Sequence, residues 1–253
     1  MKKKRGGLRF LWIAAAASAL LLIGVAAVWF SVPDVRWLSK RNPGETSLMK
    51  FRRAQACAQK RKIDARWRWI PLARISPYLI QAVLISEDDK FFEHEGFDWE
   101  SIRQALEVNL QKRRIFRGGS TITQQLAKNI FLTPQQTVVR KIREAALAFQ
   151  LEKHLTKKRI LELYLNVIEW GGSVYGAEAA ARFHFGVPAS DLTLSQSIRL
   201  ASVLPNPRRF SPLDNRTRRL NRKRHRIAYR IFRRHGISEE EYNRCLKELG
   251  LKP

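Results

Sequence analysis

The run Glu87-Asp88-Asp89-Lys90-Phe91-Phe92-Glu93-His94-Glu95-Gly96 crowds carboxylates, a histidine and two aromatics behind an apolar stretch. Acidic residues at the end of a helix oppose its dipole, so local propensity does not explain Glu87 and Asp88 there. A carboxylate in a cleft with apolar neighbours has its charged form disfavoured and its pKa raised, which suits general acid–base work. A solvated helix end is the plainer reading of the same residues. A second run, Gly118-Gly119-Ser120-Thr121-Ile122-Thr123-Gln124-Gln125-Leu126-Ala127-Lys128-Asn129, pairs two glycines with a capping box, Thr121 and Gln124. A helix N-terminus offers free N–H groups and partial positive charge to an anion, and Lys128 adds a full charge two turns on. The chemistry this predicts is a pyrophosphate cradle, with an ordinary helix cap as the alternative.

Three more runs follow. In Arg140-Lys141-Ile142-Arg143-Glu144 the spacing puts Arg140 and Glu144 on one helix face. They read either as a surface ion pair or as a second carboxylate held among cations. Ile160-Leu161-Glu162-Leu163-Tyr164-Leu165-Asn166 reads as a core helix, and Arg199 to Pro207 as a leucine-rich helix stopped by Pro205 and Pro207.

The elements that must position these residues are mostly helical in their apolar spacing. Pro77 to Ile85 carries Leu79, Ile80, Val83 and Leu84 on one face, and Trp99 to Leu110 carries Ile102, Ala105, Leu106 and Leu110. Lys141 to Leu151 does the same with Ile142, Ala145, Ala146 and Phe149; Ile160 to Val167 and Ser195 to Leu204 continue the pattern. Alternating strand patterns are scarce, so a mainly α domain is expected over 48–253.

Ahead of it, Phe10 to Pro33 holds no charged residue. That length spans a hydrocarbon layer, which needs roughly 20 apolar residues. Trp12 and Trp29 stand near its ends, and Lys2, Lys3, Lys4, Arg5 and Arg9 precede it. The positive-inside rule puts 1–9 in the cytoplasm, 10–33 across the membrane as an uncleaved anchor, and 34–47 as a linker beyond it.

Hydrophobic residues make up 45% of the 253, which excludes intrinsic disorder. Lys and Arg number 48 against 22 acidic residues, a net charge of +26 that calls for an anionic partner. The densest basic run, Arg216 to Arg234, suggests nucleic acid, but an anchored domain facing outward argues for lipid contact or a solvated face instead. Cys57 and Cys245 fit neither a zinc spacing nor a disulfide framework, and two buried, unpaired thiols are expected.

In order and content the five runs resemble the peptidoglycan glycosyltransferase family, glycosyltransferase family 51, over nearly all of the chain after the anchor. The family's motifs run E-D-x-x-F-x-x-H-x-G, G-G-S-T-[IL]-T-Q-Q-L-x-K-N, R-K-x-x-E, I-L-E-x-Y-L-N and a leucine-rich helix ending in proline. The chain ends at Pro253, which leaves no room for an added transpeptidase and resembles the family's monofunctional members.

The resemblance implies a mainly α, lysozyme-like domain with a small membrane-embedded lobe. It implies polymerisation of lipid II into β-1,4-linked glycan on the periplasmic face of the inner membrane. The acceptor's 4-hydroxyl attacks C1 of the donor's terminal MurNAc, undecaprenyl pyrophosphate leaves, and configuration inverts. Matched by motif, Glu87 is the base and Glu144 the second catalytic carboxylate. Asp88, Phe91 and His94 shape the acceptor side, and Ser120 belongs to the substrate site. Thr121, Gln125, Lys128, Asn129 and Arg140 form the donor side, where the phosphoglycolipid moenomycin also binds. Lys112, Arg113, Arg114 and Arg117 fall in a segment that lies near the membrane in the family. No protein-held metal is expected; a divalent cation, Mg or Mn, at the pyrophosphate stays open. Lipid II, the glycan chain and the inner membrane are the implied partners, with cell-wall synthesis or division proteins beside them and no nucleic acid. A lytic enzyme of the lysozyme class and a silent scaffold are the rival readings.

Overall fold

The structure, a computed structural model, describes residues 3–61, 65–111, 119–234 and 236–252; of 3–11, 13 and 109 it describes the backbone alone. Its helices are α1 (Lys3–Phe30), α2 (Ser47–Ala58), α3 (Pro77–Glu87), α4 (Trp99–Gln111), α5 (Ile122–Phe131), α6 (Val138–His154), α7 (Lys157–Val167), α8 (Ala177–Phe185), α9 (Leu194–Val203), α10 (Arg218–Arg233) and α11 (Glu239–Leu249). Two short strands, β1 (Arg66–Trp67) and β2 (Val174–Tyr175), pair in parallel. The domain is mainly α, as the apolar spacing predicts.

Threonine and serine set many helix starts. Thr46, Thr121, Thr137, Thr156, Thr193 and Ser238 each accept a backbone N–H of the first turn. The expected capping box of Thr121 and Gln124 is present, and Thr193 with Gln196 forms another.

The core gathers around α3, α5, α7 and α9. Helix α3 packs on α9 and α10, while α5 packs on α6 and α7. Leu79, Ala82, Val83, Ile122, Leu126, Leu147, Leu151, Ile160, Tyr164, Ile198 and Leu200 meet there. The polar members of the fourth motif tie the segment after β1 to α7. Asn166 accepts from Ile70 N and donates to Ile70 O, both at 2.9 Å, and Glu162 accepts from Leu72 N at 2.8 Å. In 34–47, expected as a linker, Val35 and Leu38 are fully buried, and Arg159 donates to the carbonyls of Leu38 and Arg41.

Two apolar faces differ from expectation. Leu106 and Leu110 of α4 are exposed, as is Phe149 of α6, whose buried side is instead Ala146, Leu147, Ala148 and Leu151. With Trp99, Val138 and Val139 also exposed, the apolar stripe of α4 and much of the outer side of α6 stand open among the described residues. Cys245 is buried, its thiol pushed up to about 12 by that burial, while Cys57 is exposed on α2 and so corrects the expectation of two buried thiols. The two are not bonded to each other.

The 28-residue α1 presents Leu20, Leu21, Leu22, Ile23 and Phe30 outward, and its Trp29 ring lies 5.9 Å from that of Phe149. Among the described residues, no helix is long and apolar enough to cross a membrane. The expected juxtamembrane cations Lys112, Arg113, Arg114 and Arg117 lie outside the described residues.

Candidate active site

Glu87 is the last residue of α3, and its carboxylate is fixed by three donors. Ser86 Oγ donates to Oε1 at 2.7 Å, Lys223 Nζ to Oε1 at 3.2 Å, and Gln125 Nε2 to Oε2 at 3.3 Å. Only 10% of the side chain is exposed, so these contacts operate in a partly dehydrated corner. It opens on a cavity of about 360 Å³, lined also by Asp88, Asp89, Ser120, Lys223, Arg226 and Arg230.

Gln125 reaches Glu87 because a second hydrogen bond orients its amide. The Tyr164 hydroxyl donates to Gln125 Oε1 at 3.1 Å, which leaves the amide N–H groups facing Glu87. Tyr164 is fully buried; burial first, then the charges of Glu87 and Asp88, pushes its phenol well above its ordinary value, so it stays a donor. Without that hydroxyl the amide is free to turn its carbonyl toward the carboxylate. Tyr164→Phe is therefore expected to lower kcat about 2- to 12-fold, the worth of one net hydrogen bond, with little change in KM. Steady-state kinetics at fixed pH check this; unchanged kcat would remove Tyr164 as a positioning residue.

Asp88, expected on the acceptor wall, spends its charge internally. Its Oδ2 accepts from Ile122 N at 2.9 Å, and its Oδ1 lies 2.9 Å from His94 Nε2. A carboxylate at the N-terminus of α5 satisfies one of the orphan amides and complements the dipole. Thr121 donates to Gly96 O at 2.7 Å and accepts from Gln124 N. The amides of Ile122 and Gln124 at this helix start are thus taken by Asp88 and Thr121, while Gly119, Ser120 and Thr121 line the Glu87 cavity. Phe91 is fully buried beneath Lys157, whose Nζ lies 4.5 Å from the ring centroid, and His94 also accepts from Gly96 N. Both hold the loop after α3 rather than face the cavity. Gly96 turns there at φ +84°, and a Cβ would meet Glu152 Cγ at 3.0 Å.

The second carboxylate, Glu144, is 3% exposed on α6 and is held by Arg140 and Lys141. This is the buried version of the two readings of that motif. Lys141 also donates to Ser120 Oγ at 3.3 Å. Lys128, Asn129, Arg140 and Gln125 line a further cavity of about 310 Å³, together with Arg52, Glu169 and Arg208. Among the described residues the side chains of Lys128 and Asn129 have no hydrogen-bond partner, and Arg140 Nε is buried with none. Burial pushes the Lys128 ammonium below its ordinary value, with Glu144 opposing and Arg140 reinforcing the fall. Free donors converging on a cavity are what an anionic ligand requires.

The basic run 216–234, left without a site by the sequence, supplies one wall of the Glu87 cavity. Leu220, Ile227 and Ile231 form the core stripe of α10, and Lys223 and Arg230 flank it toward α3. Arg230 and Arg234 both bind Asp89. Arg224, fully buried, donates to the carbonyls of Pro212 and Asp214 at 2.7 Å. Burial pushes Lys223 below its ordinary value, with Glu87 opposing. The helical stripe Leu220, Ile227, Ile231 is the signal that places Lys223 near α3, and charge density hides it. No group of three or more His, Cys, Asp or Glu able to hold a metal occurs among the described residues.

Comparison with known proteins shows the chain's family. The family model described as Transglycosylase matches residues 55–232, a span that takes in Glu87, Lys128, Glu144 and Lys223. A biosynthetic peptidoglycan transglycosylase of Azoarcus sp. (strain BH72) is 49% identical over 197 residues, covering 77% of this chain and 83% of that protein. One of the same name from Laribacter hongkongensis (strain HLHK9) is 47% identical over 205 residues, 81% of this chain and 90% of that protein. By this match over most of its length, the chain belongs to the transglycosylase family.

Proposed function

We propose that this chain polymerises lipid II into β-1,4-linked glycan strands, with inversion at MurNAc C1 and release of undecaprenyl pyrophosphate. It is a peptidoglycan glycosyltransferase, and the relatives just described carry that function in their names. One observation carries the reading: a carboxylate, Glu87, faces one cavity, the unpartnered Lys128 ammonium and Arg140 face the next, and Gln125 joins the two.

In this reading the acceptor sugar lies in the Glu87 cavity. Glu87 takes the proton of its 4-hydroxyl as the new bond forms, a contribution of typically 10²–10⁴-fold for a placed base. Lys223, Ser86 and Gln125 keep the carboxylate aimed. The donor's pyrophosphate lies against Lys128 and Arg140, which meet the charge that grows on the leaving group. Glu144 holds Arg140 and Lys141 in place and acts through them. Its oxygens are already engaged by both cations, and the donor side offers no carboxylate cluster among the described residues, so these residues do not fit a protein-held Mg or Mn ion. The reaction is tested by the configuration of the new linkage: nuclear magnetic resonance should find it β from an α donor, and an α linkage would contradict inversion.

The same reading places the protein at the inner membrane, with 10–33 as a single anchor and the domain in the periplasm. The charge-free sequence of that segment supports it, as do the exposed apolar side chains of α4 and α6, which suit a lipid-facing lobe. A reporter active only in the periplasm is expected to work when fused after Pro253. Activity of a cytoplasm-only reporter there would reverse the topology.

A further inference from the structure

A third cavity, of about 400 Å³, adjoins the donor cavity. The two share Arg52, Glu169 and Arg208, and neither Arg52, Glu169 nor Arg208 lines the Glu87 cavity. The order is therefore acceptor, donor, third cavity. Arg61 and Arg66 join Arg52 and Arg208 in its wall; among the described residues Arg52, Arg61 and Arg208 face one carboxylate, Glu169. Glu169 is buried and bound to Arg52 at 3.3 Å, and burial pushes its carboxyl up, with Arg52 and Arg208 opposing. Arg208 has no hydrogen bond or ion pair among the described residues, and Arg61 binds only the neutral amide of Gln59. Phe183 gives the wall an apolar face, with the Arg66 guanidinium 4.5 Å from its ring centroid.

Arg52 and Arg208 stand where this cavity meets the donor cavity, and Arg61 lines this cavity and not the other two. Glu87 acts two cavities away, and the pyrophosphate is met by Lys128 and Arg140. Excess positive charge in a cavity answers an anion, and the planar, forked guanidinium pairs best with a carboxylate or a phosphate. A polymerising enzyme must also hold the part of the donor strand that does not react. The sugars of that strand are neutral at their hydroxyls; its anionic groups away from the pyrophosphate are the carboxylates of its peptide side chains.

We propose that the cavity walled by Arg52, Arg61 and Arg208 is a subsite that binds the peptide carboxylates of the donor glycan. The inference rests on the transferase reading and adds a specificity to it. The enzyme selects strands by the charge on their peptides, and it grips the growing strand at a point beyond the reacting sugar. Binding energy from such a remote contact is available to hold the donor between additions.

The test uses the full chain and two lipid II preparations, one with free peptide carboxylates and one with those carboxylates amidated. Both retain the pyrophosphate and the lipid. Arg61 lines only the third cavity and is exposed, so Arg61→Glu leaves the proposed reacting groups intact. On the free-carboxylate substrate, Arg61→Glu is expected to raise KM about two- to fivefold, as loss of a solvent-exposed ion pair would. On the amidated substrate it should leave KM unchanged, and Arg61→Lys should stay near the parent on both. Equal KM changes on the two substrates would assign the charge to the pyrophosphate or the lipid and overturn the inference. No change on either would overturn it as well. Folding of each variant is checked by its kcat on the amidated substrate, which should match the parent. A parent enzyme that polymerises neither lipid overturns the transferase reading itself, and this subsite with it.

Discussion

Glu87→Gln is expected to reduce lipid II polymerisation by at least about 10²-fold in a protein that remains folded. The substitution keeps the shape at the end of α3 and removes the ability to accept a proton. It also leaves the Lys223 ammonium, 3.2 Å away, without its carboxylate. Lys223 is 19% exposed, and water can reach it, so the fold should tolerate the change. Circular dichroism and thermal unfolding report on that independently of turnover. The competing view makes Glu87 a solvated helix end. Three donors and a cavity wall speak against it, and it predicts turnover within a fewfold of the parent. Such a result would take the base role away from Glu87.

Lys128→Ala should impair turnover and moenomycin binding together. The ammonium is half-buried beside Arg140 and makes no internal bond that its loss would break, so little change in stability is expected. A charge-assisted hydrogen bond to a desolvated phosphate is roughly twice as strong as a neutral one, and both ligands would lose it. The pH profile gives an independent reading. Burial lowers the Lys128 pKa from its ordinary 10.5, so the group gives up its proton at a lower pH than a free lysine. Donor binding should then weaken as pH rises, before 10.5 is reached. Arginine stays charged to above about pH 12, so Lys128→Arg should move that alkaline limb upward while restoring affinity. Lys223, also pushed down by burial, is present in all three proteins, so the comparison isolates Lys128. Unchanged inhibitor affinity and turnover in Lys128→Ala would make it an ordinary helix residue.

The motifs were legible because each is a local string with a local consequence. A capping box starts α5, prolines follow the end of α9, and i, i+4 spacing pairs Arg140 with Glu144. The parts that were not legible depend on what lies opposite. Asp88 lines the cavity as a cleft carboxylate would, but the amide of Ile122, thirty-four residues along the chain, takes one of its oxygens, which the local string does not foretell. Phe91 reads as a ring for substrate until the fold closes over it. The stripe of α4 reads as core, and Leu106 and Leu110 nonetheless stand outside, because apolar periodicity marks a face without saying whether protein or lipid covers it. In 216–234 the basic side chains suggested a surface helix. The same helix buries Leu220, Ile227 and even Arg224, and brings Lys223 to Glu87. A buried arginine is foreseeable only when its carbonyl partners, here on Pro212 and Asp214, are known.

Making glycan and cleaving it can both begin from a cleft carboxylate, and the fold does not decide between them. In the proposed reading Lys128 and Arg140 favour making glycan, because a pyrophosphate leaving group needs cations and a glycosidic bond in finished wall does not. The direct measurement is incubation of the full chain with radiolabelled lipid II in one vessel and with intact sacculi in another. Labelled polymer together with released undecaprenyl pyrophosphate, and sacculi left whole, is the predicted result. Soluble fragments from sacculi with no polymer from lipid II would contradict it.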